Sequence, residues 1–395
     1  MSFKIKKPIL MIPGPMDVPD EVLRRCGHQV FPHYDSPTLF PEFYHQLTEK
    51  TKIIFGLKEG YVFIPNGSGT VAVNMAIASL CTSDDNVLVI DNGAFGVYAE
   101  KNFNALGIPY TLVKGEWGKA IDSDLVLNAM KKKKHKFIYM THNESSTTVV
   151  NPIPQIGKIA REFDALLISD SISAVGGVMI DMGEDGADVV AGASQKCLEL
   201  PPGLAPVAVG ERAWKYMDSM KNRRVPYILD FQAWKKAYID QYENHPQPVT
   251  GATTMLYALD WIVDRIIEEG MENRQERFRA AGMSLKKGME ELGFIMSANP
   301  NDASPVATDF FTPNGIDSSV VRNFYLEKYD TMVGYGLAHV DSKTGKNLSF
   351  RIAHFGTAAN HDRIDHMINI SRQFVEEYIN PHSPYQTKKS FNNIS

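Results

Sequence analysis

The sequence predicts an α/β protein: a mostly parallel central sheet with helices on both faces, followed by a smaller C-terminal α+β domain. Three observations predict it. Between residues 61 and 209, short and nearly continuous apolar runs alternate with helical patterns. That is the signature of parallel strands buried on both faces under crossover helices. After Gly210 the alternation stops, and two long helical patterns follow at residues 250–269 and 271–292, separated near Gly270. The remainder mixes strands (SPVATDFF, LSFRIAH) with a helix (SSVVRNFYLEKY). A chain of 395 residues suits two domains. The expected division is an N-terminal arm at 1–20, a large domain at 21–268, a small domain at 269–379 and a loose tail at 380–395.

The elements follow in order. The first forty residues are proline-rich, with IPGPMDVPDEV and then FPHYDSPTLFPEF. Pro13-Gly14-Pro15 reads as a rigid turn. It belongs either to an arm draped over the body or to a loop approaching a site. A helix is expected at 42–55 and a strand at 61–64. A helix at 70–80 (TVAVNMAIASL) leads to a strand at 86–90 (NVLVI), and Asn92-Gly93 turns the chain into a helix at 95–106. Strands at 110–113, 137–140 and 165–169 alternate with helices at 122–130 and 153–163. Further strands fall at 188–191 and 206–209, a helix at 212–220 and a last helix at 363–378. Residues 222–242 are rich in aromatics and charge. Lys131 to Lys134 follow a helical pattern, where lysines suit the negative end of the helix dipole.

Composition excludes several classes. The balance of 44% hydrophobic and 22% charged residues is that of a soluble globular chain. A net charge of −5 gives no electrostatic footprint for nucleic acid or membrane. No stretch reaches the roughly 18 apolar residues of a membrane span. The N-terminus MSFKIKKPILMIPGP has a short apolar run cut by prolines, with no signal-type cleavage pattern. Three distant cysteines, Cys26, Cys81 and Cys197, argue against a disulfide framework or a cysteine metal site. A cytoplasmic enzyme without a bound metal is the expectation.

The chemistry lies at strand ends. Asn66-Gly67-Ser68-Gly69-Thr70 joins a strand to a helix, and such a loop presents backbone N–H groups and the helix dipole to an anion. Ser145 and Ser146 follow the strand KFIYM, Asp170 follows ALLIS, and Lys196 follows DVVA. In parallel α/β sheets ligands sit at this edge. Each residue alone has a plain reading: tight-turn glycines, a capping aspartate, a solvated or snorkelling lysine. Together they supply an amine, a carboxylate and a phosphate cradle, the set that pyridoxal phosphate needs. A phosphate-loop NTPase would use G-x-x-x-x-G-K-[ST]. This loop lacks the lysine, and Thr70 follows Gly69 directly.

The set PGP, NGSGT, THNESST, SDSISAVGG, GASQK and PPGLAP resembles the class V aminotransferases, among the fold type I pyridoxal-phosphate enzymes. Nearest is the alanine–glyoxylate / serine–pyruvate branch. The resemblance spans the chain from Pro13 to about Gly356. It implies Lys196 as the Schiff-base lysine and Asp170 as partner of the pyridine nitrogen. It implies Ser145 near the ring oxygen, Phe95 stacked on the ring, and Ser68, Gly69, Thr70 and Gln195 around the phosphate. It places Gly14 near the substrate and Arg351 on the substrate carboxylate, a task that suits a bidentate guanidinium. Thr250 matches a threonine that reaches the phosphate of a neighbouring subunit, which implies a homodimer with shared sites. Gln247 stands where relatives often have tyrosine, Thr70 where the alanine–glyoxylate enzymes have histidine, and Asn143 where they have glycine. The segment His33 to Pro37 also differs from the usual arginine-containing stretch. The resemblance implies transfer of an amino group from an alanine-, serine- or aspartate-type donor to a small 2-oxo acid such as glyoxylate or pyruvate. The alternatives are an aminophosphonate or non-amino-acid amine as donor, and a cysteine desulfurase.

Overall fold

The protein is described from a computed structural model, over residues 7–30, 39–220, 224–240 and 245–379. The segment His33 to Pro37 and the C-terminal tail lie outside the described residues. The central sheet has seven strands: β1 (Gly60–Phe63), β2 (Val87–Asp91), β3 (Tyr110–Lys114), β4 (Phe137–Thr141), β5 (Leu166–Asp170), β6 (Val189–Ala191) and β7 (Val207–Gly210). Their order in space is β1-β7-β6-β5-β4-β2-β3. Five adjacent strands, β6-β5-β4-β2-β3, are parallel to one another. β7 runs antiparallel between β6 and β1. Helices were expected on both faces for a direct reason: every residue of β2, β4, β5 and β6 is buried, so both pleat faces need an apolar cover. β3, at the sheet edge, is only partly covered.

Local chemistry sets the helix boundaries. Asp122 accepts the Asp124 N–H and starts the helix Ser123–Lys132, whose last turn carries Lys131 and Lys132. The helix Leu39–Phe55 begins three residues before its sequence pattern. The stretch after residue 222, with no clear period, forms the short turn Tyr227–Leu229 and the helix Phe231–Asp240. Its Trp234 is fully buried against Phe63 of β1. The last long helix is His361–Phe374.

A second sheet of five strands has the order Ile9–Met11, Thr331–Tyr335, Ser349–Ala353, Ala307–Phe311, Ile295–Met296. Its own core gathers Met11, Leu285, Phe310, Tyr325, Phe350, Met367 and Phe374. Residues expected as a separate arm therefore belong partly to this sheet, because Ile9–Met11 pairs in parallel with Thr331–Val333. The helices Thr253–Glu269 and Met271–Glu291 meet at Gly270, whose φ of 78° favours glycine. The second of them contributes Phe278 to the large core and Leu285 and Met289 to the small one.

Candidate active site

The strand ends converge. β1 leads through Asn66 and Gly67 into the helix Gly69–Leu80, and β2 leads through Gly93 into the helix Ala94–Leu106. β5 stops on Asp170, and β6 runs into the turn carrying Gln195 and Lys196. These segments enclose a cavity of about 230 Å³. Ser68, Gly69 and Thr70 line one end, Phe95 another wall, and Asp170, Gln195 and Lys196 the rest. Thr141, Asn143, Ile172 and Ser173 complete the lining. Seven of the expected site residues thus share one cavity.

Lys196 is half-buried, and its Nζ donates to the carbonyl oxygen of Pro13. Gly14 lies against the lysine stem: a Cβ there would stand 2.6 Å from Lys196 Cδ and 2.9 Å from Nζ, and the Gly14 φ is +96°. The lysine is therefore roofed by the N-terminal segment. Burial lowers its pKa to about 8, the charge of Arg351 adds to the effect, and Cys197 and Asp170 oppose it. An amine of that kind has a substantial neutral, nucleophilic fraction near neutral pH.

Asp170 is buried, and burial raises its pKa to about 6 against the opposing Ile172 N–H. Its Oδ1 accepts from Ile172 N at 3.1 Å, and its Oδ2 accepts from the Tyr139 hydroxyl at 3.4 Å. Among the described residues no cation is hydrogen-bonded to the carboxylate. A protonated ring nitrogen in the cavity would supply one.

Ser68 occupies the N-cap of the helix Gly69–Leu80, yet its side chain makes no cap bond. The hydroxyl and the positive end of the helix dipole both remain available to an anion. Gly69 has no room for a Cβ, which would meet Ile172 at 2.5 Å. Gln195 Oε1, Asn143 Oδ1 and Thr141 Oγ1 are buried without a protein partner. Buried orphans of this kind signal a polar guest.

Four expected residues do not line the cavity: Ser145, Thr250, Arg351 and Gly14. The Ser145 hydroxyl stands 3.5 Å from Ser173 Oγ, and it is Ser173 and Asn143 that face the cavity. The Ser145 carbonyl instead accepts from Arg351 Nη1 at 2.8 Å. Thr250 is exposed, and its carbonyl accepts from Asn66 Nδ2 at 2.6 Å. Nearby, the Gln247 amide is buried with neither polar atom paired.

Arg351 lies in the small sheet, almost wholly buried, with Nε donating to Tyr335 O at 2.6 Å. Its cross-strand partner Asp309 is fully buried and raised to about 7 by burial, against hydrogen bonds from Ser297 and Ser349 and the Arg351 charge.

Sequence reading missed several supports. Arg274 is buried and donates to Glu199, Glu269 and the carbonyls of Gly176 and Cys197. It clamps the turn after Lys196 onto the helix Met271–Glu291. Its place in the first turn of that helix gave no local signal. Glu144, inside THNESST, is fully buried on the N-terminus of the helix that carries Phe95. A lone acidic residue among hydroxyls was its only trace. Cys197, beside the lysine, is buried and its thiol is pushed up to about 12 by burial, so it is an inert core residue.

A fold of this type with a lysine, an aspartate and a helix N-terminus around one cavity defines a pyridoxal-phosphate enzyme. The chain belongs to the class V aminotransferases, whose family model matches residues 32–366. It is 33% identical over 357 residues to an uncharacterised aminotransferase of Methanocaldococcus jannaschii, covering 90% of each chain. It is 30% identical to the serine–glyoxylate aminotransferase of Hyphomicrobium methylovorum, over 88% of this chain and 85% of that one. The crystal structure of ureidoglycine–glyoxylate aminotransferase from Bacillus subtilis superposes with a TM-score of 0.88 at 25% identity, covering 96% of this chain and 95% of that one. The chain is a transaminase that depends on pyridoxal phosphate.

Proposed function

We propose that this enzyme transfers an amino group from a small amino acid of the alanine, serine or aspartate type to glyoxylate or pyruvate. The observation that carries the reading is the buried guanidinium of Arg351, electrostatically coupled to the Lys196 amine. A carboxylate is the group such a guanidinium receives, in bidentate fashion. The names of the relatives support glyoxylate as an acceptor.

The residues fit the cofactor. Ser68, Gly69, Thr70 and Gln195 would hold its phosphate, Phe95 would cover a ring face, and Asp170 would pair with the ring nitrogen. When bound, pyridoxal phosphate supplies a carbonyl for the amine and an electron sink for the reacting carbon. Lys196, neutral in part near pH 8, would hold the cofactor through its amine and would hold or move the proton at the reacting carbon. Asp170 would hold the positive charge at the ring nitrogen. Arg351 orients the substrate by its carboxylate, and Gly14 and Pro13 close the space over the lysine.

We further infer a homodimer. Thr250 stands exposed beside the cavity's phosphate end through Asn66, a position that suits reach into a neighbouring subunit. A cytoplasmic setting fits the three free cysteines. Among the described residues no helix is long and apolar enough to cross a membrane. No cysteine lines the cavity, which disfavours a desulfurase. The test is a set of half-reactions, each following cofactor absorbance with one amino acid or one 2-oxo acid. Conversion by alanine or serine and recovery by glyoxylate is the expected result. Conversion only by amines without a carboxylate would overturn it.

A further inference from the structure

The buried carboxylate of Glu144 lies outside the mechanism just described. The helix Ala94–Leu106 opens on Gly93, so it has no side-chain cap of its own. Its first three N–H groups are met from another part of the chain. Ala94 N donates to Ser146 Oγ at 2.8 Å, and Phe95 N and Gly96 N donate to Glu144 Oε2 at 3.0 and 3.3 Å. Glu144 Oε1 in turn accepts from Ser146 N at 3.0 Å and Ser146 Oγ at 2.5 Å. Both carboxylate oxygens are thus doubly occupied, and Glu144 is fully buried.

This is a costly way to cap a helix. A neutral serine at position 93 could cap the helix from its own chain without burying a charge. Position 93 instead leaves room for the carboxylate. A Cβ on Gly93 would stand 2.3 Å from Glu144 Cγ and 2.4 Å from Cδ. The residue between the two capping side chains completes the arrangement, since the Ser145 carbonyl accepts from Arg351 Nη1 at 2.8 Å. Three consecutive residues therefore hold the large-domain helix bearing Phe95 and the small-domain arginine at once.

We propose that Glu144, with Ser146, is a positioning residue that sets Phe95 against the cofactor ring and ties that ring to the Arg351 clamp. The inference rests on Phe95 covering the ring. Glu144 does not line the cavity, so it acts only through the residues it holds. The loss of its hydrogen bonds releases the first turn of the helix. Phe95 then loses its fixed plane, and the 144–146 turn loses its grip on the arginine.

The experiment titrates pyridoxal phosphate into apo-protein of the wild type, Glu144→Ala, Glu144→Gln, Ser146→Ala and Phe95→Ala. It reads affinity and the visible circular dichroism of the bound cofactor, then KM for the 2-oxo acid. Glu144→Ala should weaken cofactor binding by about tenfold or more, the scale of one lost charged hydrogen bond. It should also change the dichroic band and raise KM. Glu144→Gln keeps one of the two accepting oxygens and should recover part of the loss. Ser146→Ala, a milder change, should fall between, so the proposal stays testable if Glu144→Ala does not fold. Affinity and dichroism unchanged in Glu144→Ala beside a weakened Phe95→Ala would overturn this inference alone. No rescue by Glu144→Gln would also overturn it. Wild-type affinity in Phe95→Ala would overturn the ring assignment beneath it, and a wild type that binds no pyridoxal phosphate would overturn the functional reading itself.

Discussion

Lys196 Nζ donates a hydrogen bond to the carbonyl oxygen of Pro13, a residue 183 positions away. Pro13 lies two residues beyond the strand Ile9–Met11, which belongs to the small sheet. The Lys196 amine is thereby roofed by a segment anchored in the five-stranded sheet. The contact sets the lysine stem against the Pro13–Gly14 turn.

That roof tolerates no side chain at Gly14. Gly14→Ala would bring a Cβ within 2.6 Å of Lys196 Cδ, at a φ of +96°. The strain of such a backbone is about 1–3 kcal/mol, so the turn should shift rather than accept it. The expected outcome is covalent capture of pyridoxal phosphate by apo-protein slowed about tenfold or more. Stopped-flow absorbance measures it, and an unchanged rate would refute the role of the turn.

The capture rate should also follow the charge of Lys196. Burial first, and Arg351 second, hold its pKa at about 8. The neutral amine attacks, so the rate should rise with pH and level off above that value. Arg351→Ala removes a positive charge that lowers the pKa, and the midpoint should move to higher pH. A midpoint that stays put or falls would show that the arginine does not act on the amine. The same variant should raise KM for a carboxylate substrate by roughly tenfold to a hundredfold, the range for hydrogen bonds to charged groups. Arg351→Lys should recover little, because an ammonium cannot make the paired contact.

Asp170 carries a stability signature in apo-protein. Its folded pKa, about 6, lies above its ordinary value of 3.8 because of burial. The native state therefore holds an extra proton between those values, and stability falls as pH rises from about 4 through 6. The full effect approaches about 3 kcal/mol at the 1.36 kcal/mol of each pKa unit. Urea melts across this window should show the decline, and Asp170→Asn should flatten it. The same variant should cost about a hundredfold to a thousandfold in transamination, as for other preorganised charges in a closed site.

Arg274 should behave as a structural residue. It is buried between Glu199 and Glu269, with two backbone carbonyls as further acceptors. Arg274→Ala strands these groups and should destabilise by about 3–5 kcal/mol in denaturant titrations. Loss of less than about 1 kcal/mol would place the cluster with ordinary surface pairs.

Much of the fold was legible in the chain. β2, β4 and β5 are runs of apolar residues because both of their faces are covered, and such runs stand out against polar turns. Asp170 and Lys196 stand out in the chain as well, since Asp170 follows such a run directly and Lys196 comes five residues after one. Ser145 stands out in the sequence by its hydroxyl, yet the structure uses its backbone. Its carbonyl, which every residue type carries, makes the contact with Arg351. The helix Phe231–Asp240 escaped detection because its apolar positions pack against several elements at once and leave no single period.

By itself the sequence determined the layered α/β architecture and the order of chemical groups along one sheet edge. Alternation of apolar runs and the positions just after them are local properties, read directly from the chain. Only the tertiary structure decided that Pro13 caps Lys196, that Glu144 seats the helix of Phe95, and that Arg274 braces the lysine turn. Each of these contacts joins residues separated by 49 to 183 positions. At such distances it is the packing of two sheets, rather than any motif, that determines which groups meet.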